Sequence, residues 1–173
     1  MIILGIDPGV ASTGYGVIKV IKKKSGKKRE SDPFRYKVLE YGVITTHPSL
    51  LPGERLKKIY NETSRIIKKY QPQALIVENL YFFKNLKTAI PVGEAKGIIL
   101  LLAAKKKIPL YEVTPPQVKM AVVGYGKAEK KQVQKMIKFL FNLPKIPQPD
   151  DAADALAIAF CGTSLFYKNK FSS

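Results

Sequence analysis

The spacing of hydrophobic and polar residues along the chain predicts strands of two kinds. Short apolar runs, such as 2–6 and the run 74–78 that finishes on an acid, are typical of strands buried on both faces. Longer segments in which apolar and polar residues roughly alternate are typical of half-buried strands. Together these patterns predict five strands, at residues 2–6, 14–21, 35–46, 74–78 and 109–113.

Apolar residues at helical spacing predict the helices. The first helix begins at Pro52, carries an apolar stripe with lysines between its members, and ends at Gln71-Pro72. The second, at residues 86–105, is expected to be interrupted near Pro91, because proline lacks the backbone N–H that a helix interior uses. The remaining helices are predicted at 115–123, 130–142 and 150–167.

The order of these elements predicts the fold class. A β-meander comes first, and helices then alternate with apolar strands, which favours an α/β protein with three layers. We therefore expect a mixed five-stranded sheet, an antiparallel meander followed by parallel strands, flanked by helices. No repeat or long linker divides the 173 residues, so residues 1–173 are expected to form a single domain with a basic hairpin insertion around 19–37.

The net charge indicates which kind of molecule the protein binds. Thirty Lys and Arg residues against 13 Asp and Glu give +17 at pH 7, and a surface this basic attracts a polyanion, most commonly nucleic acid. From Lys19 to Lys37 nine basic residues stand against two acidic ones, which leaves +7 in the hairpin. Its connection, residues 22–33, either contacts phosphates or is a disordered solubilising loop, and both interpretations stay open.

Other composition features point to the cytoplasm. The start, MIILGIDPG, lacks the basic n-region of a signal peptide, and the apolar stretch 97–104 is far shorter than the ~20 residues of a membrane span. A single cysteine, Cys161, excludes a disulfide framework and a cysteine-based zinc site, and we expect it in the core. His47 is interpreted as incidental. The prediction is a soluble cytoplasmic protein without a membrane partner.

Two carboxylates stand at the ends of strands that are predicted to be buried. Asp7 follows one apolar run and Glu78 ends another. An ionised carboxylate there is costly unless it is paired or binds a metal, and open α/β sheets place their sites at the carboxyl ends of central strands. Taken singly, each residue fits a functional site no better than a plain structural role, in which it caps a loop or pairs with a lysine.

Three of the five aspartates lie in the segment PDDAAD, at the start of the last predicted helix. Asp151 and Asp154 are at i and i+3 and therefore share a helix face, where like charges repel. The helix dipole offsets part of that repulsion, typically ~0.3–1 kcal/mol per charge. Simple N-capping fits Asp150 well. It explains Asp154 poorly, because one helix start does not need three aspartates.

These acids form a constellation of oxygen ligands without histidine or cysteine. Its members are Asp7, Glu78, Asp151 and Asp154. Hard oxygen ligands select Mg²⁺, with Mn²⁺ as a possible substitute. Two such ions can flank a phosphodiester, one activating water and the other stabilising the leaving oxygen. A negative site on so basic a protein is consistent with metal ions that bridge the carboxylates to phosphate.

Five sequence blocks carry a resemblance to a known family. The chain resembles the bacterial RuvC Holliday-junction resolvases, which are crossover junction endodeoxyribonucleases. The matching blocks follow in the order and spacing of the family and run over nearly the whole chain. They are GIDPGVASTGYGVI (5–18), IVENLYFFKN (76–85), PVGEAKGIILL (91–101), VTPPQVKMAVVGYGKAEKKQVQ (113–134) and PDDAADALAIA (149–159).

The resemblance implies a ribonuclease-H-like fold and a homodimer. It also implies Mg²⁺-dependent hydrolysis with two ions per site, which nicks two strands symmetrically across a four-way DNA junction in recombination and repair. RuvA and RuvB, the branch-migration proteins, are the implied partners. The family's acidic residues fall on Asp7, Glu78, Asp151 and Asp154.

The resemblance also implies roles for individual side chains. Asp7 is expected to bridge the two ions, Glu78 and Asp154 to complete their shells, and Asp151 to bind metal or orient the water. The segment after the acidic pair, AFCGTSLFY, lacks a histidine often found there in the family, which weakens any His-assisted step.

Contacts to DNA are implied outside the carboxylates. Tyr81, after the second apolar run, is expected to stack or wedge at the junction, while Lys119 and Lys130 match family lysines near the scissile phosphate. For Lys130 the alternative is a solvated helix start.

Two other classes explain part of the sequence. ATP-binding proteins of the actin, chaperone and sugar-kinase type share the predicted topology and an opening like GIDPGVASTG, but they need two such domains and far more residues. The segment GVASTGYG also lacks the Gly-Lys-Ser/Thr ending of a Walker motif. A non-catalytic basic DNA-binding module explains the charge and leaves the four acids without a purpose.

Overall fold

The computed structural model describes residues 1–23, 34–79 and 86–171, and within them strands and helices follow the predicted order. The strands are β1 (Ile2–Asp7), β2 (Ser12–Lys22), β3 (Phe34–Thr45), β4 (Ala74–Glu78) and β5 (Leu110–Val113). The helices are α1 (Pro52–Tyr70), α2 (Leu86–Lys106), α3 (Pro115–Val123), α4 (Lys130–Leu140) and α5 (Asp150–Phe171).

The strands form a mixed sheet in the order β3-β2-β1-β4-β5. β1, β2 and β3 pair as an antiparallel meander, whereas β1, β4 and β5 are parallel. This confirms the predicted arrangement. Because β1 and β4 are adjacent and parallel, with Ile6 beside Val77, the acids that end them lie at the same edge of the sheet.

Apolar side chains from the two faces of the sheet fill two separate cores. On one face, residues such as Ile3 and Ile76 pack against α3, α4 and α5. On the other face, Leu4 and Leu75 pack against α1 and α2. Successive residues of a buried strand point to opposite faces, so the apolar runs at 2–6 and 74–77 serve both cores. The result is the expected three-layer fold.

Helix α5 crosses β1 and β2 at a distance that only glycine permits. A Cβ atom added to Gly14 would lie 2.1 Å from the carbonyl oxygen of Asp151, and one added to Gly5 would lie 2.3 Å from that of Ala155. We call these two close approaches the glycine contact. Because the backbones touch there, the first turn of α5 is held directly over the ends of β1 and β2.

The described residues correct one expectation about the helices. α2 is continuous through Pro91, so the predicted interruption is wrong. Pro91 lies near the start of α2, and its missing N–H removes one helical bond, to the carbonyl of Lys87, without affecting the later turns. Residues 24–33, most of the basic connection, lie outside the described residues. Among the residues described, no helix has the length and apolarity needed to cross a membrane.

Candidate active site

Three of the four predicted acids form a compact cluster at the carboxyl edge of the sheet. One carboxylate oxygen from each of Asp7, Asp151 and Asp154 lies within 4.8 Å of the other two. Asp7 ends β1, whereas Asp151 and Asp154 stand on one face at the start of α5. All three are half-buried. Asp7 therefore meets two residues that come at least 144 positions later in the chain, because the glycine contact holds α5 against the sheet.

Glu78 lies beside this cluster, at the end of β4. Its side chain is outside the group of three mutually close oxygens, but its charge is near enough to raise the pKa of Asp7. Burial, followed by repulsion from Asp154, raises the pKa of Glu78 itself to about 7. The structure thus places all four predicted acids in one electrostatic neighbourhood, with Glu78 at its border.

Burial and mutual repulsion make the ionised cluster unfavourable. Burial is the main reason that the pKa of Asp7 rises to about 8, and the charges of Glu78, Asp154 and Asp151 add to it. Burial also raises the pKa of Asp154. Desolvation and like charges both disfavour a carboxylate anion. A cation among these oxygens would therefore be strongly stabilised.

Lys130 places one positive charge beside the acidic cluster. Its Nζ lies 2.9 Å from Asp154 Oδ2 and 3.5 Å from Asp150 Oδ2. Burial lowers the pKa of Lys130, but the bond and charge of Asp154 outweigh this and raise it. Lys130 is the first residue of α4, and Asp150 is the first residue of α5, so their pairing joins the two helix starts. These contacts favour a site role for Lys130 over a solvated helix start.

Lys119 lies near enough to Glu78 for its charge to act on that carboxylate. It is half-buried on α3, and its positive charge lowers the pKa of Glu78. Within the part of the chain that the structure describes, Lys119 forms no ion pair. Its ammonium group is therefore available for an incoming anion.

Ser12 is a site residue that sequence reasoning missed. Its hydroxyl donates a hydrogen bond to Asp151 Oδ2. The bond exists because the start of β2 lies under the first turn of α5, where Gly14 touches the backbone of Asp151. The sequence places Ser12 in the turn after GIDPG, but only the approach of α5 gives it this partner.

A second network fixes the backbone beyond Glu78. Asn79 donates its N–H to the carbonyl of Val113 at 2.7 Å. Its side-chain oxygen accepts from Lys96 Nζ at 3.3 Å, and Lys96 pairs with Glu112 at 2.8 Å. The residue that follows Glu78 is thus tied to both β5 and α2.

The sequence points to three further residues, and the structure describes two of them. Cys161 is buried in the core, as expected, and burial raises the pKa of its thiol to about 11. His47 bonds with Ser49 in the loop before α1, far along the chain from the acids. Tyr81 lies outside the described residues, so its stacking role stays a prediction.

The donor set of the cluster fits a hard divalent cation. Every candidate ligand atom is a carboxylate oxygen, and three of them are already close enough to share one ion. Mg²⁺ and Mn²⁺ prefer such ligands, whereas zinc prefers sites with nitrogen or sulfur. The raised pKa values of Asp7 and Glu78 show the same need for positive charge.

Comparisons with known proteins agree with this geometry. A family model described as "Crossover junction endodeoxyribonuclease RuvC" matches residues 3–162. A protein of that name from Desulforamulus reducens is 54% identical over 161 residues, which cover 93% of this chain and 92% of the relative. The structure of Thermus thermophilus RuvC matches with a TM-score of 0.84 and 32% identity, covering 98% of this chain and 96% of that chain.

A further match is T. thermophilus RuvC in complex with a Holliday junction substrate. Its TM-score is 0.83 at 29% identity, and it covers 99% of this chain and 97% of that chain.

Proposed function

The chain belongs to the RuvC family of crossover junction endodeoxyribonucleases, and from this premise we propose that it resolves four-way DNA junctions by nicking two strands symmetrically. The observation that carries the proposal is the cluster in which oxygens of Asp7, Asp151 and Asp154 lie within 4.8 Å of one another. A nuclease that hydrolyses phosphodiesters through metal ions needs such a set of oxygen ligands. The junction as substrate is supported by the T. thermophilus complex with a Holliday junction.

Magnesium is the ion that we propose for the cluster, two per site, with Mn²⁺ as a substitute. Asp7, Asp151 and Asp154 would hold it, with Glu78 completing the set at the border of the cluster. When bound, the metal supplies Lewis-acid chemistry, which activates a water molecule and stabilises the leaving oxygen.

The protein's own side chains prepare the site for the phosphate. Ser12 holds Asp151 in one orientation through its hydroxyl. Lys130, paired with Asp154, offers a positive charge at the entrance to the cluster and can turn towards a phosphate oxygen. Lys119, on the Glu78 side, would stabilise negative charge that builds on the phosphate during the reaction. Tyr81 is proposed to stack on a base at the junction.

Paired nicks require two sites, and we propose that a second copy of the chain supplies the other one. Exposed apolar side chains on α2 support self-association: Ile90 is 69% exposed, Leu101 49% and Leu100 39%. A contiguous exposed apolar patch is typical of an interface, and we propose that these three side chains belong to one. Family membership is the basis for proposing RuvA and RuvB as partners and a cytoplasmic location, where the chromosome would be the substrate.

The proposal is tested by replacing Asp7 with asparagine and assaying a synthetic four-way junction and a linear duplex of the same sequence. In Mg²⁺ the wild-type protein should nick the junction at paired positions and leave the duplex largely intact. Asp7→Asn should abolish nicking while junction binding persists. Glu62→Gln, on α1 away from the cluster, is the matched control and should cut normally.

Two results would overturn parts of the proposal. If Asp7→Asn cuts at the normal rate, Asp7 does not hold a metal ion that the reaction needs. Equal cutting of junction and duplex by the wild-type protein would leave a general nuclease without junction specificity.

A further inference from the structure

A group of basic side chains lies on the β2–β3 hairpin, towards the end of the sheet that is away from the carboxylates. Lys19 on β2 and Arg35 and Lys37 on β3 are all exposed. We call these three residues the hairpin patch. None of them takes part in the candidate active site.

Strand register places the hairpin patch on one face of the sheet. Lys19 lies directly opposite Lys37, and Arg35 lies opposite Ile21, two residues further along. Val17 packs in the core beneath α1 and α2, and alternate residues of β2 share a face. The patch therefore continues that face past the area that α1 covers, and Ile21 within it is 40% exposed.

The arrangement of charges in the patch is unfavourable for the folded protein alone. Two lysines directly opposite each other on paired strands repel. Glu40 is the carboxylate that follows Lys37 on β3, but it already accepts from Lys69 Nζ at 2.5 Å, from Tyr15 Oη at 3.0 Å and from the Tyr70 hydroxyl. Among the described residues no acidic side chain pairs with the patch. Its charge is thus open to an external anion.

The sheet also fixes how far the patch lies from the acidic cluster. Asp7 pairs with Gly14, whereas Ile2, five residues earlier, pairs with Lys19. At ~3.4 Å per residue this puts the Lys19–Lys37 row ~17 Å from Asp7 along the strands, and Arg35 ~24 Å. With ~3.4 Å per base pair, the same span covers ~5–7 base pairs of duplex. The patch is too distant to contact a phosphate at the acidic cluster.

We propose that the hairpin patch is a second DNA-binding surface, which holds backbone phosphates of a junction arm ~5–7 base pairs from the cut. The inference rests on the proposed function and adds a contact to it. DNA is the favoured occupant because three exposed positive side chains in one row complement the charge of a phosphate backbone, and because lysine and arginine contacts to phosphate position a duplex without reading its sequence. Arg35 can bind a phosphate through two N–H groups at once.

The test compares two variants that each lose three positive charges from exposed positions. One is Lys19→Ala/Arg35→Ala/Lys37→Ala. The control is Lys68→Ala/Lys105→Ala/Lys106→Ala, at the ends of α1 and α2 that lead into β4 and β5 and are therefore away from the carboxyl edge of the sheet. Binding of a four-way junction is measured over a range of salt concentrations in EDTA, so that the result does not depend on cutting.

The patch variant should bind the junction at least tenfold more weakly than the wild-type protein at moderate salt. The slope of log K against log salt should fall by about 0.9 for each phosphate that the variant no longer neutralises, and the control should change much less. Nicking at saturating junction should be unchanged. A patch variant that matches either the wild-type protein or the control in affinity and slope would overturn the proposal.

The position of the contact is tested by changing the DNA instead of the protein. Methylphosphonate linkages, which carry no charge, replace phosphates 5–7 base pairs from the cut on both strands of each arm. They should weaken binding by the wild-type protein and leave the patch variant unaffected, whereas equal weakening of both proteins would place the contact elsewhere. Loss of polyglutamate binding in the patch variant, with junction binding intact, would assign the surface to an acidic protein and overturn the proposal.

Two controls separate this inference from other failures. The thermal midpoint of the patch variant should equal or exceed that of the wild-type protein, because like-charge repulsion is removed; a large decrease would indicate that the three residues serve the fold instead. If the wild-type protein binds junctions through the patch but never nicks them, the proposed function fails and the binding surface stands.

Discussion

Replacing Asp7 with asparagine is expected to stabilise the metal-free protein at neutral and alkaline pH. The buried Asp7 carboxyl, next to three other acids, keeps its proton in the folded state up to a pKa of about 8, compared with 3.8 for an ordinary aspartate. Asparagine has a similar shape and no charge to lose. The substitution should therefore remove a destabilising ionisation while it abolishes nicking.

The direction and size of the effect follow from the two pKa values. Between pH 4 and pH 8 the folded protein binds more protons at Asp7 than the unfolded chain does, so the free energy of unfolding falls as pH rises. The difference between 3.8 and about 8, at 1.36 kcal/mol per pKa unit, corresponds to ~6 kcal/mol at most. Movement of Lys130 and entry of water relieve part of it. We expect about half, ~3 kcal/mol, at pH 8.

The assay is thermal or urea unfolding of both proteins in EDTA from pH 4 to pH 8.5. The two curves should nearly coincide at pH 4 and separate as pH rises. At pH 8 the midpoint of Asp7→Asn should be about 6–12 °C higher, since 1 kcal/mol shifts a domain of this size by about 2–4 °C. Added Mg²⁺ should raise the midpoint of the wild-type protein, because a ligand that binds only the folded state stabilises it, and should raise that of the variant much less.

The reasoning is refuted if the two proteins have the same stability from pH 4 to pH 8.5. It is also refuted if the wild-type protein becomes more stable, relative to Asp7→Asn, as pH rises. Either result would mean that the carboxylates are solvated or compensated in the folded state. The case for a cation among them would then lose its electrostatic support.

Two further changes test how the site is built. Ser12→Ala should weaken metal binding by roughly 10- to 150-fold, since a hydrogen bond to a charged group contributes ~1.5–3 kcal/mol; Mn²⁺ titration measures the loss, and Ser12→Thr should restore most of it if the hydroxyl orients Asp151. Gly14→Ala should destabilise the protein by more than ~3 kcal/mol, because the added Cβ would meet the Asp151 carbonyl at 2.1 Å. Gly53→Ala, where nothing lies within 4 Å, should be neutral or stabilising in the same melting experiment, and equal effects of both substitutions would contradict the role of the close approach.

Much of the acidic site could be predicted because its signals are local. Asp7 and Glu78 end apolar runs that only buried strands explain, and strand ends of a parallel pair meet at one edge. Asp151 and Asp154 share a helix face by their spacing alone. The fold class followed from the same patterns, because the order of elements distinguishes a meander from alternating strands and helices.

The partners of these acids could not be predicted, since they depend on how elements pack. The bond from Ser12 to Asp151 arises only where β2 passes beneath α5. The pairing of Lys130 with Asp150 and Asp154 likewise needs α4 and α5 to start side by side. The break predicted near Pro91 was wrong because the cost of a proline depends on its place in the helix, which the sequence pattern did not resolve.

The glycine contact also determines when the nuclease can act during synthesis. Asp7 is among the first residues to leave the ribosome, whereas Asp151 and Asp154 come nearly 150 residues later. The acidic cluster forms only when α5 settles onto Gly5 and Gly14 of strands made long before. A nascent chain without α5 carries Asp7 and Glu78 but lacks two of the three carboxylates of the cluster, so we expect it to be unable to cut DNA until α5 has been made and has packed on the sheet.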